Sequence, residues 1–194
     1  MAIVLPAAPI QSKFNPRMVS AGGVLRSPIG GAAINVSRPG DRHAIDVTIP
    51  PLPVEQARQW RSRLVRSAAT GESLRLQWPQ DGVPALGTIF VDGANQTGMI
   101  LTITGGTVGA VVPEGAYFSV SDGSRYDLYP VAEDRLLSGG DALLDLGIML
   151  RRPPLNGGVL DFTPIIEGLG PKVVSWSLEH MIDRGFSFTI EENR

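Results

Sequence analysis

Two histidines, a run of carboxylates and one glycine-rich stretch are where chemistry could reside in this chain. His180 stands shortly before Asp183, a spacing that could pair a general base with an orienting carboxylate, although an ordinary loop pair is the simpler reading. His43 follows the turn residues Pro39-Gly40 and reads as structural. Neither histidine belongs to a His-x-x-x-His or His-Glu-x-x-His arrangement, so zinc is not expected. Asp141 and Asp145, with Glu133 and Asp134 upstream, could gather around a cation. They lack the alternating ligands, central glycine and closing glutamate of an EF-hand loop. Gly105-Gly106-Thr107-Val108-Gly109 has neither the Lys-Ser/Thr of a phosphate loop nor dinucleotide spacing, and no Gly-x-Ser-x-Gly elbow occurs. The expectation is a protein with no catalytic residue, no cofactor-binding residue, no metal ligand and no cofactor.

The elements that would position these residues are mostly strands. Ala32 to Val36 reads as a strand ending at the turn Ser37-Arg38-Pro39-Gly40-Asp41. Ala44 to Ile49 follows, with Ile45, Val47 and Ile49 on one face. Pro50-Pro51-Leu52-Pro53 stops the sheet and starts one amphipathic helix, about Pro53 to Thr70, closed by Gly71. Val54, Ala57, Trp60, Leu64, Val65 and Ala68 form its apolar arc. Arg61 projects from that arc, either snorkelling to solvent or meeting a partner carboxylate. Arg58, Arg61, Arg63 and Arg66 make a basic face that reads as solvated or as an interface, because no aromatic residues interleave for nucleic acid.

Further strands are expected at 74–78, 86–91, 99–104, 159–166, 173–178 and 186–190, with a hairpin of 116–120 and 125–131 around Ser121-Asp122-Gly123-Ser124. The stretch 143–150 is ambiguous between strand and helical turn. Residues 1–20 read as a short strand or an extended arm whose Ile3, Val4, Leu5 and Ile10 must be buried somewhere. The middle region, about 80–155, looks like a small β-barrel inserted into a larger unit built from both ends of the chain.

Composition narrows the function classes. The 194 residues are 43% hydrophobic and 19% charged, which fits a soluble globular protein with a real core. Without cysteine there is no disulfide, thiol nucleophile or thiolate-bound metal. The N-terminus lacks a basic segment and breaks at Pro6, so no signal peptide is expected, and no apolar run is long enough to span a membrane. A soluble chain made in a cytoplasm follows. Fifteen arginines against two lysines suit bidentate interface pairs and equally fit a GC-rich genome. Residues 1–75 carry ten Arg/Lys against four Asp/Glu, whereas 76–194 carry seven against fifteen. Two regions of opposite sign could attract each other within a chain or between neighbouring copies, or be no more than uneven scatter over a solvated surface.

Three groups of residues carry a family resemblance. They are Ser27-Pro28-Ile29-Gly30-Gly31 with Arg38-Pro39-Gly40-Asp41-Arg42; the helix with Trp60, Gly71 and the strand ending Trp78-Pro79; and Val91-Asp92-Gly93-Ala94-Asn95-Gln96-Thr97-Gly98, followed by Asp127-Leu128-Tyr129-Pro130-Val131 and Leu150-Arg151-Arg152-Pro153-Pro154. In this order the chain resembles the distal tail proteins of long-tailed bacteriophages, also called minor tail proteins. The resemblance implies a mainly β fold, with a tail-tube-like β-barrel or sandwich, one flanking α-helix and an inserted small barrel of the oligonucleotide/oligosaccharide-binding type. Residues 1–79 and 156–194 would form the ring-building domain and 80–155 the insert. The implied role is structural: a homo-hexameric ring at the virion tail tip, joining the tail tube protein to the hub or baseplate protein, anchoring tail fibres and passing DNA transiently through its lumen, with no membrane contact. Other readings stay open: a carbohydrate-binding module, a hydrolase using His180 and Asp183, and a tail-tube or tube-terminator protein.

Overall fold

The computed structural model describes residues 2–26, 30–36, 38–121, 123, 125–179 and 182–193. Among them the architecture is mainly β with one α-helix, as the strand-and-turn pattern predicts. Strand Arg42–Ile49 is the spine of a six-stranded first sheet. Its alternation turns Ile45, Val47 and Ile49 inward, and it pairs antiparallel with Phe186–Glu192 on one side and Lys13–Val19 on the other. The order across the sheet is Ile3–Val4, Leu74–Gln77, Ile165–Leu169, Phe186–Glu192, Arg42–Ile49, Lys13–Val19.

The N-terminal arm thus supplies both edges of this sheet. Ile3 and Leu5 are buried as expected, but Val4 is 59% exposed and Ile10 fully so. Pairing of Ile3–Val4 with Leu74–Gln77 turns alternate side chains outward, and Ile10 falls in the turn closed by Ser12 N–H to the Pro9 carbonyl.

Helix Val54–Thr70 covers one face of the sheet. Trp60 packs against Phe186 and Phe188, joined in the core by Ala57 and Leu64. The buried face is shifted from the expected arc: Ser67 is buried, with its hydroxyl donating to the Glu72 carbonyl, and Val65 faces outward. Gly71 ends the helix in the left-handed conformation, φ 72°, with its N–H on the Ser67 carbonyl.

The second sheet runs Tyr126–Pro130, Tyr117–Ser121, Val159–Asp161, Ile89–Val91, Ile100–Thr104, Ala142–Asp145. The expected hairpin is present as Tyr117–Ser121 paired with Tyr126–Pro130. A bridge between Val131 and Leu146 joins the two end strands, so the sheet curls around its own core of Ile89, Leu101, Ile103, Phe118 and Leu144. The ambiguous stretch resolves as strand Ala142–Asp145 followed by a bend that buries Leu146, Ile148 and Leu150.

Three expected strands come out differently. The run 159–166 is two strands in two sheets, Val159–Asp161 in the second and Ile165–Leu169 in the first, with the chain crossing at Pro164, which has no N–H to continue a ladder. The second sheet therefore extends beyond residue 155. The run 173–178 contributes only Leu178, in the strand Leu178–Glu179, which pairs with Ile182–Asp183 and through it with Leu52–Pro53. Finally, among the described residues Ile34–Val36 does not join the first sheet but pairs only with Gly23–Leu25, as a two-stranded ribbon.

Candidate functional site

The most concentrated chemistry in the molecule lies where the two sheets meet. Along Phe186–Glu192 every second residue faces inward, so the alternation that buries Phe186, Phe188 and Ile190 also buries Glu192. Burial alone would raise the Glu192 pKa. Its contacts with His43 and the Arg151 guanidinium outweigh that and hold the carboxyl below its ordinary value. Arg151 Nη2 lies 2.6 Å from Oε1, the His43 backbone N–H donates to Oε2 at 2.6 Å, and His43 Nδ1 stands 3.3 Å from the same oxygen. The Leu128 backbone N–H donates to Oε1 at 3.0 Å.

A second glutamate repeats the arrangement. Glu167, on Ile165–Leu169, receives Arg75 Nε at 2.7 Å and the Tyr126 backbone N–H at 3.1 Å. Tyr126 and Leu128 are alternate residues on the end strand of the second sheet. Two buried glutamates of the first sheet therefore take up N–H groups along the edge of the second, which would otherwise be a row of open donors. The arginines complete the joint. Arg151 stacks over Tyr129 at 5.4 Å, Arg75 over Tyr126 at 4.8 Å, and Arg152 Nη2 reaches Asp127 at 2.6 Å. Burial opposes the charge on Arg151, but Glu192 overcompensates and raises its pKa. Burial is also the chief cause of the raised Tyr129 pKa, with Asp127 adding to it.

His43 with Glu192 has the makings of a base and its orienting carboxylate. The imidazole is only 2% exposed and is edged by Trp78 and Tyr117, with ring centres 5.7 and 5.4 Å away. The carboxylate it faces is committed to an arginine and two backbone donors. The pair lies within the joint between the two sheets.

The other sequence candidates are dispersed. His180 lies outside the described residues. Asp183 is fully buried, accepts the Gly185 N–H at 3.1 Å and faces Arg61 Nε at 3.5 Å. Arg61 thus has the partner carboxylate that its position on the helix allowed for, and it also stacks over Trp176 at 5.6 Å. The expected basic face is divided. Arg61 turns inward, Arg63 donates to the Val4 carbonyl at 2.5 Å, Arg66 pairs with Glu72 at 2.9 Å, and Arg58 is exposed. Asp141 accepts the Thr104 hydroxyl, Asp145 and Glu133 both contact Arg135, and Asp134 accepts the Glu114 N–H. Among the described residues no three His, Asp or Glu side chains converge into a metal-holding group. Around Gly105 to Gly109, the N–H groups of Gly106, Thr107 and Gly109 are spent on the carbonyls of Gly140, Leu86 and Leu137, and a side chain at Gly106 would collide with Leu137.

Gln80 was not singled out by sequence and proves central. The chain leaves the first sheet at Trp78 and returns at Pro164, and the Trp78 N–H bonds the Pro164 carbonyl. At this double crossing Gln80 Nε2 donates to the carbonyls of Tyr117 and Phe162, both at 3.0 Å, while its Oε1 accepts the Tyr117 N–H at 2.6 Å. Beside it opens a cleft of about 740 Å3, lined by Phe14, Arg75, Tyr126, Asp81 and Asp161 among others. No helix among the described residues is long and apolar enough to cross a membrane. No protein-family model matches the chain, and no curated protein matches it.

Proposed function

We propose that this chain is a structural protein of a bacteriophage tail tip, forming a hexameric ring between the tail tube and the hub or baseplate, with fibres at its periphery and DNA passing through its lumen. One observation carries the reading. Among the described residues the buried carboxylates of Glu192, Glu167, Asp183 and Asp127 each face an arginine, while large apolar side chains lie outside on both sheets. Fixing two sheets against each other suits a part that transmits position rather than one that turns over substrate. Exposed apolar surface on a soluble chain marks a contact site, and the opposite charge surpluses of residues 1–75 and 76–194 suit the head-to-tail contacts of a ring. The mainly β architecture with one flanking helix is compatible with the tail-protein resemblance.

A carbohydrate-binding module is the second reading, favoured by the cleft beside Gln80 with Tyr126 and two carboxylates in its wall. Light scattering with negative-stain imaging and co-sedimentation with tail tubes separate the two. A sixfold ring or tube binding supports the tail role. A chain that stays monomeric, ignores tubes and hub protein, and binds glycans saturably overturns it.

A further inference from the structure

Among the described residues, the ribbon of Gly23–Leu25 and Ile34–Val36 pairs with no other strand. Leu25 and Ile34 are directly opposed across it and are each 63% exposed, and Val24 is 57% exposed. A two-stranded ribbon with apolar side chains in water is marginal by itself. Its base is nevertheless fixed in place. Asp41 accepts the Ala21 N–H at 2.7 Å and the Ser20 hydroxyl at 3.0 Å, so the ribbon is held out from the body instead of folded onto it.

A complementary surface exists on the outer face of the second sheet. Register puts Phe90 beside Val159 and opposite Thr104, Leu143 opposite Thr102, and Ile100 opposite Asp145. The side chains alternating with these, Leu101 and Ile103, are buried, so Phe90, Val159, Ile100 and Leu143 share one exposed apolar face. Asp141 and Asp145 border it. Arg26 and Arg38 flank the ribbon, and the acidic side chain at its base, Asp41, is taken up by the Ser20 hydroxyl and the Ala21 N–H.

We infer that the ribbon of one copy docks on the outer face of the second sheet of another copy, its Leu25–Ile34 pair against Phe90 and Leu143 and its arginines towards Asp141 and Asp145. Two different surfaces meet in such a contact, so it propagates around a ring instead of closing a two-fold dimer. The inference rests on the ring reading above and supplies its contact.

The test is sedimentation of the full chain, with the variant Leu25→Asp/Ile34→Asp and with a mixture of two single-cysteine variants, Leu25→Cys and Leu143→Cys. The native chain contains no cysteine, so under mild air oxidation a mixed disulfide must join positions 25 and 143, and this contact predicts it in excess over the 25–25 and 143–143 disulfides. The native chain should assemble, and less readily as salt is raised. The double aspartate variant, with an unchanged circular dichroism spectrum, should need a concentration about tenfold higher or more. The cysteine mixture should give the mixed disulfide in excess. A double variant that assembles like the native chain, with no excess of mixed disulfide, overturns the contact and leaves the ring reading standing. A native chain that is monomeric at every concentration also overturns the contact, and co-sedimentation with tail tubes then decides the tail reading separately.

Discussion

Glu192, at the end of the last strand of the first sheet, accepts the backbone N–H of Leu128, on the end strand of the second, at 3.0 Å. The contact makes one carboxylate answer to both sheets, because the same group holds Arg151 and the backbone of His43. Glu167 does the same for Tyr126. Side chains of one sheet thereby replace the strand that would otherwise pair with the edge of the other.

Removing this carboxylate should cost much more than a surface ion pair. Glu192→Ala leaves the Arg151 guanidinium buried without its main partner, and a loss of about 3–5 kcal/mol is expected. Glu192→Gln keeps an acceptor for Leu128 and should cost about 1 kcal/mol less. Adding Arg151→Met to Glu192→Gln should recover part of the loss, since the unpaired charge disappears. Urea unfolding of the four proteins checks this. Equal losses in the Ala and Gln variants would mean that the Leu128 bond contributes nothing.

The pH dependence has a definite sign. Glu192 has a lower pKa in the folded chain than its ordinary 4.5, so the unfolded chain takes up the proton first as pH falls. The stabilisation is complete above about 4.5 and is lost as pH drops through the lowered folded value. Urea midpoints should therefore fall below that pH, and Glu192→Gln should flatten part of the fall. An identical acid profile in the variant would remove Glu192 from the explanation.

What could be read in the sequence was local. Ile45, Val47 and Ile49 declare a half-buried strand by alternation, Pro53 and Gly71 bracket a helix by backbone preference, and the turn at residues 121–124 declares a hairpin. The same alternation, carried two residues past Ile190, would have pointed Glu192 inward, the one signal for the joint that was available. Its partners were hidden because Leu128 and His43 lie 64 and 149 residues away, and such pairing depends on sheet order, which side-chain period does not encode. Gln80 sits between Pro79 and Asp81 and looks like any linker residue. Pro164 was visible, but whether it marked a strand's end or a change of sheet depended on the other strands.

Gln80 should be the least replaceable residue of the crossing. Gln80→Ala removes three hydrogen bonds, including the acceptor for the half-buried Tyr117 N–H, and should cost about 1–3 kcal/mol. Gln80→Glu keeps that acceptor but sets a carboxylate against the carbonyls of Tyr117 and Phe162, and should be at least as destabilising. Hydrogen exchange distinguishes the causes: the Tyr117 amide should lose protection in the Ala variant and keep more of it in the Glu variant. Unchanged protection in both would show that the crossing is held by Trp78 and Pro164 alone.

Gly168 makes the strictest demand on side-chain size. It pairs with Glu192, and a Cβ built there would stand 2.1 Å from the Glu191 carbonyl oxygen and 2.8 Å from the Glu192 nitrogen, both backbone atoms of the facing strand. Neither atom can move aside as a flexible side chain would. Gly168→Ala must push Phe186–Glu192 away from Ile165–Leu169, and that motion drags Glu192 off Arg151 and Leu128. The expected loss is at the upper end of overpacking, about 3 kcal/mol or more, and it should not add to that of Glu192→Ala, because both changes open the same joint. Unfolding of the two single variants and the double variant measures the coupling, and strict additivity would mean that the strand shift never reaches Glu192.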